Sequence, residues 1–294
     1  MAWHRESGFA LETERCRFVM KTVAVVVLNW NGWRDTVACI QSLKQLNYLN
    51  FRIWVVDNAS SDESVERIRE AFPDLDILQS GANLGFGGGC NVGIRRALDV
   101  GAEYIWLINS DTRVAPDALL QMVEQAEACP RAGAVGSVIY EMDEPDRVQV
   151  WGGGLVNLWL GQSHHRLVPG SVDFVSGASV LLRAEAVRDV GLFDDQMFFM
   201  YWEDTDLGFR LRKAGWQLDV ASQAKVWHKQ SASLGLESPL LVEYGTCSAV
   251  RFLRRHAPVP WVSIPLMGLL RIGKRLLRGD WIRLRAFCRG WVKA

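Results

Sequence analysis

Thr22-Val23-Ala24-Val25-Val26-Val27-Leu28-Asn29-Trp30-Asn31-Gly32 is the stretch that decides the fold. Thr22 to Leu28 carries no charge and is mostly Val and Ala, the composition of a strand buried on both faces of a parallel sheet. Asn29 to Gly32 closes it, and a helix is expected to about Leu46. Outward from there, Phe51 to Val56 predicts a second strand, ending at Asp57-Asn58-Ala59-Ser60-Ser61-Asp62. That turn cluster also opens a helix over Glu63 to Ala71. Asp76 to Gln79 reads as a third strand. A glycine-rich segment, Gly81 to Cys90, opens a helix through Leu98. Tyr104 to Ile108 gives a fourth strand that stops at Asn109-Ser110-Asp111, and Pro116 stands where a helix begins. Such alternation predicts a doubly wound α/β sheet. Ligands of these sheets bind beyond the carboxyl ends of the strands. Three strand ends are polar here (Asn29 to Asn31, Asp57 to Asn58, Asn109 to Asp111), which predicts a nucleotide or sugar site on one edge.

After about Ala132 the alternation weakens. Ala134 to Tyr140, Gln149 to Trp151 and Val172 to Leu182 read as strands of a more mixed sheet. Trp151-Gly152-Gly153-Gly154 marks a turn or a close backbone approach. Ser176-Gly177-Ala178-Ser179, inside a strand pattern, is either a bulge or a set of small residues facing a ligand. An aromatic, apolar run from Met197 to Trp202 then leads into Glu203, Asp204 and Asp206. Leu207, Phe209 and Leu211 continue a helical pattern that Gly215 stops. Acids in a first turn complement the helix dipole, and Asp206 can pair with Arg210 one turn on. A carboxylate at the mouth of an apolar pocket is also a usual general base. Lys225 to His228 is expected to end a short strand.

The chain has 294 residues, 49% of them apolar and 13 of them Trp, with no net charge. That length allows one large domain or two modest ones. The charge is uneven: Arg251 to Ala294 holds eleven Lys or Arg against one acid, Asp280. An acidic body with a basic tail is a partner signal. Six scattered cysteines fit a reducing cytosol. Residues 1–20 read as a disordered extension, and Met20 is a plausible start. No apolar segment reaches the roughly 18–20 residues that span a bilayer.

Several chemistries are excluded. Gly85-Phe86-Gly87-Gly88-Gly89-Cys90 fails the Gly-x-Gly-x-x-Gly spacing and follows the third strand. No Gly-Lys-Ser/Thr loop, Gly-x-Ser-x-Gly elbow or His-Glu-x-x-His pair exists. What survives is Asp57, Asn83, Asp111, Glu203, Asp204 and His228. Asp111 at a strand end suits Mg²⁺ or Mn²⁺, and an added imidazole favours Mn²⁺.

With these pieces in order, Val25 to Gly32, Val55 to Asp62, Asn83 to Gly93, Leu107 to Asp111, Ser176 to Ala178 and Gly191 to Leu207, the chain resembles the inverting family-2 glycosyltransferases of GT-A fold. The rhamnosyltransferase-like branch, which builds bacterial surface polysaccharides, is the nearest likeness. The resemblance implies an α/β fold with a Rossmann-like nucleotide-binding mixed sheet flanked by helices. It would occupy residues 21–235, with a helical basic segment at 236–294. It implies Asp204 as catalytic base and Asp111 and His228 as ligands of Mg²⁺ or Mn²⁺. Asn29, Asn31, Asp57, Asn83, Gly85 and Asn109 would bind the donor, and Trp202 and Glu203 the acceptor. Asn109 departs from the Asp-x-Asp motif, so Asp111 alone carries the metal from that segment. The donor would be dTDP-rhamnose or a UDP-sugar, and the acceptor a glycan or polyprenyl-linked glycan. No nucleic-acid partner is expected, and the oligomeric state stays open. The alternatives are a sugar nucleotidyltransferase and a non-catalytic glycan-binding protein on the same fold. Asp57→Ala is expected to weaken nucleotide binding and spare the fold. The tail, with Trp and Arg flanking the ten-residue apolar run Trp261 to Leu270, predicts peripheral attachment to the anionic inner face of the cell membrane from the cytoplasm; the alternative is a basic helix packed on the acidic body.

Overall fold

The computed structural model describes residues 20–229 and 238–294. The expected N-terminal extension, apart from Met20, lies outside the described residues, as does the division at 235/236. Strand β1 (Val23–Asn29) feeds two apolar layers. Val23, Val25 and Val27 enter one, Ala24 and Val26 the other. Covered on both faces, it reads as an unbroken apolar run. Helix α1 (Trp33–Leu43) leads to β2 (Phe51–Asp57), α2 (Ser64–Ala71) to β3 (Asp76–Gln79), and α3 (Gly85–Asp99) to β4 (Tyr104–Asn109). These four strands are parallel neighbours in the order β3-β2-β1-β4. Their register sets Asn29 beside Asp57 and Leu28 beside Asn109, so the three polar strand ends do meet on one edge.

The chain continues through β5 (Thr112–Val114), α4 (Ala118–Ala128), β6 (Ala132–Glu141) and β7 (Val148–Trp151). Next come β8 (Gly153–Asn157), β9 (Gln162–His165) and β10 (Phe174–Val175), which form a small antiparallel sheet of their own. Strand β11 (Ser179–Arg183) then inserts antiparallel between β4 and β6. Helices α5 (Ala184–Val190) and α6 (Glu203–Lys213) precede β12 (Gln217–His228), which runs parallel to β6. The result is the mixed α/β sheet with helices on both faces.

Two expectations are corrected. Val172 to Leu182 is not one strand, because β10 and β11 belong to different sheets. A Cβ on Gly153 would stand 1.9 Å from the Phe174 carbonyl oxygen, so this crossing holds β10 against β8 and the chain must bend before β11. The strand ending at His228 is not short. It has twelve residues, with a register shift between Ala221 and Lys225 where the exposed Ser222 and Gln223 break the apolar pattern.

The tail forms α7 (Pro239–His256), α8 (Pro260–Leu277) and α9 (Trp281–Val292). Val250, Phe252, Leu253 and Met267 join Phe198 and Trp202 in a third apolar cluster, which seats α7 and α8 on the segment that enters α6. Arg289 and Lys293 of α9 clamp Glu243 of α7.

Candidate active site

Two left-handed residues, Tyr201 at φ 68° and Trp202 at φ 71°, turn the chain into α6. That conformation costs a side-chain-bearing residue about 1–2 kcal/mol, and packing holds it here. The Trp202 ring lies 4.6 Å from that of Phe252, and Ser248 Oγ donates to the Met200 carbonyl at 2.9 Å. The turn brings the first residues of α6 to an open cleft of about 690 Å³. Asn109, His228, Tyr201, Gly177 and Arg271 also face that cleft.

The three acids of α6 have separate fates. Asp206 is fully buried and accepts from Arg210 (2.7 Å), Arg255 (3.0 Å) and His256 (2.7 Å). Burial presses its pKa upward, but His256 and the two guanidiniums outweigh it and hold the carboxyl below its usual range. It is a structural anchor, as the spacing to Arg210 predicted. Asp204 faces the cleft and accepts from three donors: Gly177 N–H (3.0 Å), Thr205 N–H (2.6 Å) and Thr205 Oγ (3.1 Å). Burial raises its pKa against those bonds. Glu203 is 6% exposed, packs toward Gly87 of α3, and its Oε2 has no partner among the described residues. Burial, with the neighbouring Asp204 charge second, pushes Glu203 up to about 8. Burial thus raises both adjacent carboxyls, and Asp204 has three donors to set against it where Glu203 Oε2 has none among the described residues.

At the strand ends, His228 Nε2 lies 3.2 Å from Asp111 Oδ1 and 3.3 Å from Asn109 Nδ2. His228 Nδ1 lies 2.7 Å from Gln149 Oε1. That oxygen only accepts, so it assigns the proton to Nδ1 and makes Nε2 an acceptor, which takes Asn109 Nδ2–H and stands beside the Asp111 carboxylate. Two electron-rich atoms so placed fit a cation held between them. No group of three or more His, Cys, Asp or Glu gathers at one point among the described residues. A cation held there would therefore take its other ligands from water or phosphate oxygens. Gln149 had no signal in the sequence, because its role depends on β7 pairing with β6 beside β12.

The other expected donor residues form a linked layer. Asn29 Nδ2 donates to Asp57 Oδ1 and Ser60 Oγ, both at 3.0 Å, and Asn31 N–H donates to the same Ser60 Oγ at 2.9 Å. Asn83 Oδ1 accepts from Asn58 Nδ2 (3.2 Å) and Gly85 N–H (3.0 Å). Gly85 has φ 73°, and a Cβ there would stand 1.9 Å from the Phe199 carbonyl oxygen. Only glycine lets α3 begin against the segment that leads to α6. Trp202 and Glu203 border the cleft but are buried, whereas Tyr201 is 42% exposed there. Sequence reasoning did not single out Tyr201 as a site residue, although it lies in the same aromatic run.

Asp57 is 1% exposed and also accepts from Ser60 N–H, at 3.2 Å. Asp57→Ala therefore strands buried donors, and the harmless substitution expected from sequence is revised. We expect a loss of about 1–3 kcal/mol in stability, read by urea unfolding, beside weaker UDP or dTDP binding in calorimetry. Unchanged affinity would leave Asp57 with a structural task only.

The model of the family described as "Glycosyl transferase family 2" matches residues 24–191. The N-acetylglucosaminyl-diphospho-decaprenol L-rhamnosyltransferase of Mycobacterium tuberculosis is 31% identical over 246 residues, 74% of this chain and 79% of that one. Galactofuranosyltransferase GlfT1 of Mycolicibacterium smegmatis is 26% identical over 261 residues, 79% of this chain and 84% of its own. Among solved structures, the mannosyltransferase PcManGT of Pyrobaculum calidifontis, in complex with GDP-Man and Mn²⁺, superposes with a TM-score of 0.60. That likeness covers 94% of this chain and 87% of that one; at 17% identity it speaks for the fold alone. The family match over most of the sheet, joined to a relative above 30% identity across three quarters of the chain, shows that this protein belongs to glycosyltransferase family 2.

Proposed function

We propose that the protein is an inverting glycosyltransferase that moves a sugar from a nucleoside diphosphate donor to a hydroxyl of a glycan or lipid-linked glycan in surface polysaccharide synthesis. One observation carries the reading: Asp204 lines the cleft and accepts from Gly177 N–H, Thr205 N–H and Thr205 Oγ, which favour its charged form, while Glu203 beside it is buried with Oε2 unpartnered among the described residues. A carboxylate in a partly apolar site is the stronger proton acceptor. Asp204 takes the proton of the acceptor hydroxyl as its oxygen bonds to the anomeric carbon. The bond from that carbon to the diphosphate breaks, and the diphosphate leaves with the electron pair. Asp111 and His228 would hold Mg²⁺ or Mn²⁺, which supplies charge neutralisation at the diphosphate when bound. Asn29, Asn31 and Asp57 build the nucleoside end, and Asn83, Gly85 and Asn109 the sugar and phosphate end. Tyr201 offers the ring for acceptor stacking, beside Trp202 and Glu203 as cleft wall. The donor is dTDP-rhamnose or a UDP-sugar, a choice supported by the rhamnosyl and galactofuranosyl relatives. Incubation with each nucleotide sugar tests the reading. Release of nucleoside diphosphate supports it; release of pyrophosphate from a triphosphate would make the protein a nucleotidyltransferase.

In this reading residues 21–235 carry the donor chemistry, and 236–294 present the acceptor and the membrane. No helix among the described residues is long and apolar enough to cross a bilayer. Helices α8 and α9 nevertheless expose Trp261 (76%), Leu277 (91%) and Ile282 (70%) among basic residues. Amphipathic helices of this kind lie in an anionic interface, here the cytoplasmic face of the cell membrane. The protein should co-sediment with phosphatidylglycerol vesicles, and Trp261→Ala with Leu277→Ala should release it. Equal indifference of both proteins to the vesicles would remove the membrane from the account.

A further inference from the structure

Helix α8 brings two arginines, Arg271 and Arg275, to the cleft that holds Asp204. They sit one turn apart on the same face. Neither has a carboxylate within ion-pair distance among the described residues. Arg271 donates to the Gly161 carbonyl, and Arg275 Nη1 to the Arg271 carbonyl at 3.1 Å. Arg275 Nε is buried without a hydrogen-bond partner among the described residues, and its guanidinium lies 5.1 Å from the Phe287 ring. The nearby acid, Asp280, is bonded to Arg283 instead. Burial, with the Arg275 charge second, pulls the Arg271 pKa down to about 10. Elsewhere in the tail Arg255 pairs with Asp194 and Asp206, and Arg289 and Lys293 with Glu243. Two like charges held together in a partly buried cleft are costly unless an anion joins them. Paired guanidiniums match the oxygens of a phosphate or diphosphate.

We propose that Arg271 and Arg275 are the subsite for the diphosphate of a lipid-linked acceptor. The inference rests on the proposed transferase function and names the acceptor class. The donor diphosphate has its own place at Asp111 and His228, which approach from the strand ends rather than from α8. The same helix exposes Leu269 (71%), Leu270 (48%), Leu276 (46%) and Leu277 (91%) around the two arginines. A diphosphate seated on the arginines puts its sugar toward Asp204 and its hydrocarbon chain along that apolar face. A glycan without the lipid diphosphate would leave the guanidiniums unmet.

Calorimetry on the full chain with geranyl diphosphate, geraniol and UDP tests the subsite. Geranyl diphosphate should bind and geraniol should not. Arg271→Gln and Arg275→Gln should each weaken geranyl diphosphate by about tenfold to a hundredfold, the range for a bond to a charged group, and leave UDP affinity unchanged. Arg275→Gln is the safer variant for folding, since its hydrogen bond stays within its own helix. Arg275→Lys, which keeps the charge and loses the fork, should fall between. Geranyl diphosphate binding that is unchanged in both glutamine variants overturns the subsite. A parallel loss of UDP binding assigns the arginines to the donor and also overturns it. A parallel loss of phosphatidylglycerol vesicle binding assigns them to lipid headgroups, with the same result. The proposed function fails separately, if the wild-type protein releases no nucleoside diphosphate from any nucleotide sugar.

Discussion

Asp204→Asn is expected to lower turnover by about 10²–10⁴-fold, the contribution of a positioned general base, with nucleotide affinity kept. The amide preserves size and can still accept from Gly177 N–H, so α6 stays in place. The acid limb of the pH–rate profile should lie above the ordinary aspartate range, because burial raises Asp204. It should vanish in the variant. Glu203→Gln is the control. Its carboxyl is neutral up to about pH 8, so glutamine replaces like with like and should keep most activity. A carboxyl raised from 4.5 to about 8 on folding stabilises the fold below pH 4.5. That contribution is lost as pH climbs through about 8. Glu203→Gln should therefore flatten the fall in stability between those limits, read by thermal unfolding. If Glu203→Gln were the dead variant and Asp204→Asn the live one, the base would be Glu203.

Asp111→Ala is expected to have the second largest effect, and of a different kind. Metal-dependent donor binding should weaken, and raised Mn²⁺ should restore part of it. His228→Ala should behave the same way, because the two side chains face one point at 3.2 Å. Gln149→Leu frees the His228 ring and its tautomer. Loss of such a supporting contact commonly costs about 10–100-fold in metal affinity, so Mn²⁺ titration should show it with Asp111 and His228 both intact. Donor binding that ignores metal in every variant would end the cation assignment.

The first half of the molecule was legible in the sequence because its strands are buried on both faces and each ends in a polar cluster. Val23 to Asn29 and Tyr104 to Asn109 announce both facts at once. The second half obeys longer-range rules. β10 leaves the strand pattern of β11 because Gly153 admits the Phe174 backbone, a contact between segments twenty residues apart. The glycine run at Gly85 resembles a phosphate loop but answers to Phe199 and to β1. A Cβ on Gly93 would meet Val26 at 2.3 Å, so α3 lies close on the sheet. The acids of α6 were visible as a group. The Asp206–Arg210 pair was visible too, but the burial of Glu203 and the other partners of Asp206 and Asp204 were not, since Arg255, His256 and Gly177 lie far away in sequence. Arg271 and Arg275 read as two more charges in a basic tail until the fold put them in the cleft that Asp204 also lines.

The Asp206 anchor also has a consequence for biosynthesis. Its partners Arg255 and His256 are 49 and 50 residues downstream. A ribosome adding about 5–20 residues per second needs roughly 2–10 s to deliver them. Until then the nascent α6 holds a carboxylate with Arg210 alone, and the cleft lacks the wall that α8 later supplies. Strands β1 to β4 can be finished while the chain is still being made. The cleft is completed only once α7 and α8 follow, so under the proposed function a nascent chain would have its donor strands before its acceptor wall.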